Sequence, residues 1–210
     1  MSYDAIIVGA GPNGMAAAIT LAQAGAKVLV IEGKATVGGG MRTAELTLPG
    51  FHHDICSAVH PLGMGSPFFR DLPLVDYGLH WIQPDLPLAH PFDDGSTAAV
   101  HQSLGLTAGE LGTDGPRYRR LFGSPVANWD KVAHEFLGPL RLPRYPLVMV
   151  NFGLRAVWPA KTVARLVFGT EQAQALFAGL AAHAIMPLEW PATAAFGMIL
   201  GALAHVVGWP

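Results

Sequence analysis

With 210 residues, a net charge of −2, and 51% hydrophobic against 13% charged residues, the chain is large and apolar enough to bury one sizeable core or two small ones. A single cysteine excludes an intrachain disulfide framework, and the acidic overall balance without a nucleic-acid-binding module argues against nucleic acid as a partner. The mean hydropathy of +0.35 leaves contact with a membrane surface open. Met1 to Gly9 runs straight into a strand-like stretch, leaving no room for a cleavable leader. The expectation is a cytoplasmic protein, with peripheral membrane contact through residues 117–165 as a further feature.

The first element is an apolar, β-branched run from Tyr3 to Val8, followed by Gly9, Gly11 and Gly14 in G-x-G-x-x-G spacing and a helix over Met15–Ala24. Glycine spacing alone is weak evidence, but strand before and helix after are the context a dinucleotide clamp requires. Gly9 permits the tight turn, Gly11 lets the backbone approach a pyrophosphate, and Gly14 lets the helix pack closely on the strand. Pro12 suits the first helical turn, and Asn13 lies beside it among the amides that face an anion at a helix N-terminus. After Gly25, a second strand spans Lys27 to Ile31 and ends at Glu32. A carboxylate there can accept hydrogen bonds from the adenosine ribose and repels a 2′-phosphate, which favours FAD or NAD over NADP.

Ala35 to Thr43 reads ATVGGGMRT, and a second glycine cluster is superfluous in an ordinary NAD-binding unit. Together with YDAIIVGAGPNGMAAAITLAQAG and LPGFHHDICSAVHP, this stretch resembles the phytoene-dehydrogenase-like (carotenoid desaturase-type) branch of the FAD-dependent amine-oxidase-type oxidoreductases. The resemblance is specific over residues 1–65 and looser beyond. It implies that Gly38 and Gly39 form a doublet bringing more backbone against the FAD pyrophosphate, flanked by Gly40, Met41, Arg42 and Thr43, the last matching a small hydroxyl residue. Two departures stand out: Gly40 replaces the usual arginine, leaving Arg42 to reach the flavin or phosphates, and Cys56-Ser57 stands where relatives often carry glycine. The implied chemistry is hydride removal from an apolar small molecule, such as a polyene, to flavin. It assigns no catalytic side chain and names no electron acceptor. Relatives are considerably longer, and their FAD domain is completed by a C-terminal half.

Between Pro61 and Pro91, prolines and short apolar runs predict irregular connections and short strands. Leu86–Phe92 and Thr97–Ser103 flank Asp93-Asp94-Gly95-Ser96, a hairpin signal that the resemblance places in a substrate-domain sheet. Helices are expected from Asp114 onward, with Asp114 as N-cap and Pro116 in the first turn. Further helices are expected over 128–137, 147–157, 170–185 and 192–207. Residues 117–165 carry nine of the thirteen Lys and Arg against Asp130 and Glu135 only, interleaved with Tyr145, Phe152, Leu154 and Trp158. This mixture suits either solvated faces of packed helices or an anionic membrane interface. Pro191–Pro210 has no charged residue except what His205 can carry, and without basic flanks it reads as a buried or lipophile-lining helix rather than a membrane span. His52, His53, His60, Asp54 and Cys56 fit no zinc spacing, so no metal site is expected. Cys56 reads as a small buried apolar side chain.

The fold expected is therefore α/β: a Rossmann-type FAD-binding βαβ unit over residues 1–65, then a mainly helical partial substrate domain over 66–210, together an incomplete bipartite fold. Two alternatives remain open at this point. One is an NAD-dependent dehydrogenase, consistent with Glu32. The other is a non-catalytic nucleotide-binding or assembly module.

Overall fold

The computed structural model describes residues 2–139 and 141–210 and comprises two compact units, 1–60 and 61–210. In the first, β1 (Ala5–Val8) and β2 (Val28–Ile31) pair in parallel, Ala5 opposite Val28 and Val8 opposite Ile31, joined through α1 (Pro12–Gln23). The helix starts earlier than Met15 because Pro12 occupies its first turn, where a missing N–H costs nothing. A 3-10 turn over Gly39–Met41 leads into the antiparallel pair β3 (Thr43–Glu45) and β4 (His52–Asp54). Ile6 and Val8 alternate outward, 58% and 84% exposed, while Ala5 and Ile7 are half-buried. An apolar strand on both faces is the pattern of a parallel sheet covered twice, yet one helix covers this sheet.

The second unit begins with two short helices, α2 (Pro61–Gly65) and α3 (Pro67–Arg70), where irregular chain and short strands were expected. Pro61 and Pro67 are the first residues of these helices, so here proline starts a helix rather than breaking one. The hairpin forms as β5 (Leu88–Pro91) and β6 (Thr97–Val100), with Leu88 opposite Val100. Its turn is held by Asp94, whose carboxylate accepts the Ser96 amide at 2.8 Å. The second strand stops at Val100 rather than Ser103, because the Ser103 hydroxyl accepts the Leu106 amide and caps α4 (Leu104–Glu110). Gly105 and Gly109 hide that helix from a sequence reading.

The remaining helices are α5 (Gly115–Ala127), α6 (Trp129–Phe136), α7 (Pro146–Ala156), α8 (Ala160–Val167), α9 (Glu171–Ala182) and α10 (Thr193–Val206); α8 was not foreseen. Asp114 precedes α5 but does not cap it. Instead its buried carboxylate accepts the amides of Gly169 and Thr170, the Thr170 hydroxyl at 2.7 Å and the Arg117 guanidinium at 2.7 Å, pinning the start of α5 to the start of α9. Burial alone would raise its pKa, but these donors overcome that cost and hold it at about 2.

Helix α10 lies in the core, with Met198, Ala202, Leu203 and Ala204 fully buried. Its close packing depends on absent side chains: a methyl on Gly201 would run into the Phe122 ring, and one on Gly197 would come 3.1 Å from Phe177. Fourteen residues make about 21 Å, short of a ~30 Å hydrocarbon layer. No described helix is long and apolar enough to cross a membrane. Within the core, Tyr118 and His205 hydrogen-bond at 2.9 Å, and His205 Nδ1 lies 3.2 Å from the Gln102 carbonyl. That carbonyl can only accept, so Nδ1 carries the proton and Tyr118 donates to Nε2.

Candidate dinucleotide site

The glycine turn between β1 and α1 is built around Ala10, which is buried. Its amide donates to Glu32 Oε2 at 2.8 Å, and its carbonyl accepts the Gly38 amide at 2.8 Å. One small residue thereby joins the first glycine motif, the acid after β2 and the second glycine cluster. The sequence reading missed this role, because an alanine between two glycines carries no signal beyond its size.

Each glycine has a geometric reason. Gly9 has φ +96° and donates its amide to the Ile31 carbonyl at 2.7 Å, closing the turn onto β2. Gly14 faces the turn so closely that an added methyl would collide with the Gly9 carbonyl. Gly38 and Gly39 both have positive φ, +114° and +57°. A Cβ on Gly39 would lie 3.0 Å from the Cα of Gly11, so the doublet and the first motif meet backbone to backbone. Beside this crossing, Pro12, Asn13 and Gly14 begin α1, whose first amides have no partner within the helix. The cradle is thus lined by amides and stripped of side chains, which suits a diphosphate.

Glu32 sits just past β2. Its other oxygen accepts the Lys34 amide at 2.9 Å, and the Ala10 and Lys34 amides together hold its pKa below the usual carboxylate range. Each oxygen keeps a free lone-pair direction, so the carboxylate is both fixed and able to accept ribose hydroxyls. Arg42 is differently engaged from the expectation: its Nε donates to the Gly39 carbonyl at 2.8 Å, bracing the doublet. Thr43 begins β3 and its hydroxyl donates to Asp54 at 3.0 Å, a hairpin contact and not one to the cradle. Gly40 and Met41 complete the 3-10 turn, with Met41 exposed.

Cys56 is exposed, contrary to the expectation of burial. It follows a strand of the two-stranded β3–β4 pair, in a unit too thin to cover it. His53 pairs with the Thr47 hydroxyl at 2.8 Å and His52 lies 3.9 Å from Glu45. Among the described residues no three His, Cys, Asp or Glu side chains converge on a metal position.

Fold and site together define a Rossmann-type dinucleotide-binding unit followed by a mainly helical segment. The NAD(P)-binding Rossmann-like domain family matches residues 7–72. One of the subunits of the limonene dehydrogenase of Castellaniella defragrans is 29% identical over 136 residues, 65% of this chain and 24% of that protein. Pyridine nucleotide-disulfide oxidoreductase domain-containing protein 2 of Rattus norvegicus is 36% identical over 77 residues, 37% of this chain and 13% of that one. A putrescine oxidase redesigned in its cofactor binding superposes with a TM-score of 0.53 at 20% identity, covering 96% of this chain and 43% of that one. The fold is therefore shared nearly end to end, and the chain spans less than half the length of these proteins.

Proposed function

We propose that the chain is the dinucleotide-binding portion of an FAD-dependent oxidoreductase that takes hydride from an apolar substrate, in the manner of the phytoene-dehydrogenase-like enzymes. The observation that carries this reading is the backbone contact between Gly11 and Gly39 of the doublet, where a Cβ on Gly39 would come to 3.0 Å from the Gly11 Cα. A single glycine motif serves an NAD unit; a second one docked against it extends the amide-lined surface along a diphosphate. FAD, when bound, would supply the hydride-accepting ring and the redox chemistry.

The chain's own residues then have definite tasks. The first amides of α1 face the phosphates, Gly11 and Gly39 keep the approach clear, and Arg42 holds the doublet in its left-handed conformation. Glu32 accepts ribose hydroxyls and disfavours a 2′-phosphate. Similarity to part of a limonene dehydrogenase supports an apolar substrate, and residues 66–210 are the portion this reading gives to the substrate side of the enzyme.

The test is an absorbance spectrum of the 210-residue chain after incubation with FAD and desalting, beside titrations with FAD and NAD. Retained flavin bands that Gly11→Val abolishes, while the circular dichroism spectrum is unchanged, are the expected result. Glu32→Gln should weaken FAD binding by about 1.5–3 kcal/mol, the worth of hydrogen bonds to a charged group. Tighter binding of NAD than of FAD would overturn the flavin assignment in favour of a nicotinamide dehydrogenase. Binding of neither would mean that holding the nucleotide needs the further part of the fold that the longer relatives have, or that the chain is a non-catalytic module.

A further inference from the structure

Helix α5 carries basic residues that its packing does not call for. Arg117, Arg120 and Leu121 stand three and four residues apart and share one side of the helix. There they line a cavity of about 210 Å³ together with Arg155, from the last turn of α7, and with Leu166 and Val167 of α8. No Asp or Glu is among the lining residues. Leu121 is buried, Val167 half-buried and Leu166 81% exposed, so the apolar side of the cavity runs from the core out to solvent.

The three guanidinium groups are held differently. Arg117 Nη1 donates to the buried carboxylate of Asp114 at 2.7 Å and is neutralised by it. Arg155 Nη1 donates to the neutral Asn151 side chain at 2.6 Å, and the last turn of α7 is a place that suits a cation. Each of these bonds engages one terminal nitrogen, which orients the guanidinium and leaves further N–H donors free. Arg120 lies in the middle of α5, where no helix end favours it, and among the described residues it makes no ion pair. Two of the three charges are therefore uncompensated, and like charges on one side of a helix repel.

We propose that this cavity is a binding site for a small, soluble phosphate monoester. At neutral pH such a group carries close to two negative charges, which matches the two uncompensated guanidinium groups, whereas a carboxylate brings one. Guanidinium forks bond phosphate oxygens in pairs. At about 210 Å³ the cavity is smaller than the ~300–1,000 Å³ of pockets for drug-sized ligands, so the organic part is short, and Leu121, Leu166 and Val167 give it an apolar wall. The cavity lies within residues 61–210 and the dinucleotide cradle within 1–60, so failure of either reading leaves the other standing.

The experiment is thermal unfolding of the 210-residue chain in phosphate-free buffer at fixed ionic strength, with butyl phosphate, inorganic phosphate or butyrate added, beside calorimetric titrations for the dissociation constants. Butyl phosphate should raise the unfolding midpoint in a saturable way and bind about tenfold tighter than inorganic phosphate, the effect of roughly two methylene groups leaving water. Butyrate should bind at least about tenfold more weakly than butyl phosphate, for want of the second charge. Arg120→Gln should weaken butyl phosphate binding by at least about tenfold, since it removes hydrogen bonds between charged groups. Without phosphate its midpoint should equal or exceed that of the parent, because the substitution relieves repulsion and breaks no ion pair among the described residues. Arg120→Lys, which keeps the charge and loses the fork, should fall between the two. Gly11→Val, in the cradle, should leave the butyl phosphate shift intact. No shift with butyl phosphate overturns the proposal. So does a shift that Gly11→Val abolishes and Arg120→Gln does not, which would assign the phosphate to the cradle. Butyrate binding as tightly as butyl phosphate overturns it too, as does a lowered phosphate-free midpoint in Arg120→Gln, which would make the arginine part of the packing of α5.

Discussion

The two units of this protein spend their apolar residues in opposite ways. Among the described residues of the first 60, only Ala10 and Ala18 are buried, while Ile6, Val8, Ile31 and Val37 lie exposed. From residue 61 onward a continuous core gathers β6, α4 and the helices around α10, with Phe122, Leu176, Phe177, Leu180 and Leu203 essentially inaccessible. The contrast separates shape from stability. The dinucleotide cradle is a local backbone figure, set by turn glycines and a handful of hydrogen bonds between near neighbours of the two glycine motifs, and needs almost no core to be drawn. The helical unit carries no such figure, and its structure is the consequence of burial.

If that division is right, the largest loss of stability comes from the helical core. Phe177 is fully buried against Phe122 and Phe168, with ring centroids 6.3 and 6.1 Å away, so Phe177→Ala should cost about 3–5 kcal/mol. Chemical denaturation followed by tryptophan emission measures it. A cost below 1 kcal/mol would mean that the second unit is loosely packed after all. Next in size is the clasp between α5 and α9. Asp114→Asn at neutral pH should cost about 2 kcal/mol, the equivalent of a carboxyl pKa lowered from 3.8 to about 2. Since the folded pKa is the lower one, this contribution is complete above the unfolded value of 3.8 and disappears as pH falls through about 2. A parent that loses no stability between pH 4 and about 2 would contradict the clasp.

These two residues also mark the limit of what the sequence makes legible. The backbone figure of the turn was legible, because G-x-G-x-x-G, the acid after β2 and the glycine doublet each answer to a short-range backbone need. The local partners of Arg42 and Thr43, the Gly39 carbonyl and Asp54, were not legible, because such local satisfaction leaves no trace in spacing. The hairpin at Asp94-Gly95 and the later helices were legible from turn chemistry and periodicity, and α4 and α8 were not. Asp114 looked like a helix cap by position, while apart from Arg117 its partners, Gly169 and Thr170, lie 55 and 56 residues away. No local rule reaches that far. Cys56 failed for the complementary reason, since its apolar character predicts burial only where a core exists to receive it.

A smaller effect is expected from the polar pair inside the core. Tyr118→Phe removes the donor to His205 Nε2 and should cost about 1–2 kcal/mol, since the ring nitrogen stays buried without its partner. Burial also holds the His205 pKa below its usual 6.5, against the hydrogen bonds that favour its charged form. The unfolded chain therefore takes up a proton first, and stability from this group is complete above about 6.5 and declines as pH drops below it. A His205→Gln variant should flatten that part of the stability profile. A profile unchanged between pH 7 and 5 in the parent would show that the imidazole reaches solvent.

The smallest expected change lies on the bare face of the first sheet, and it tests the comparison where it is weakest. Val8 pairs with Ile31 through the backbone but leaves its side chain 84% exposed. Val8→Ser should therefore alter the stability of the 210-residue chain by no more than about 0.5 kcal/mol, as for surface positions in general. The β-branched, apolar character of Ile6 and Val8 is that of strands covered on both faces, and a polypeptide laid over this side would change the outcome. Sedimentation equilibrium alongside the denaturation curves separates the cases. A monomer with a cost near zero means that the face is free in this chain. A cost above 1 kcal/mol that grows with protein concentration means that a second copy covers it, and the thin unit then owes part of its stability to association.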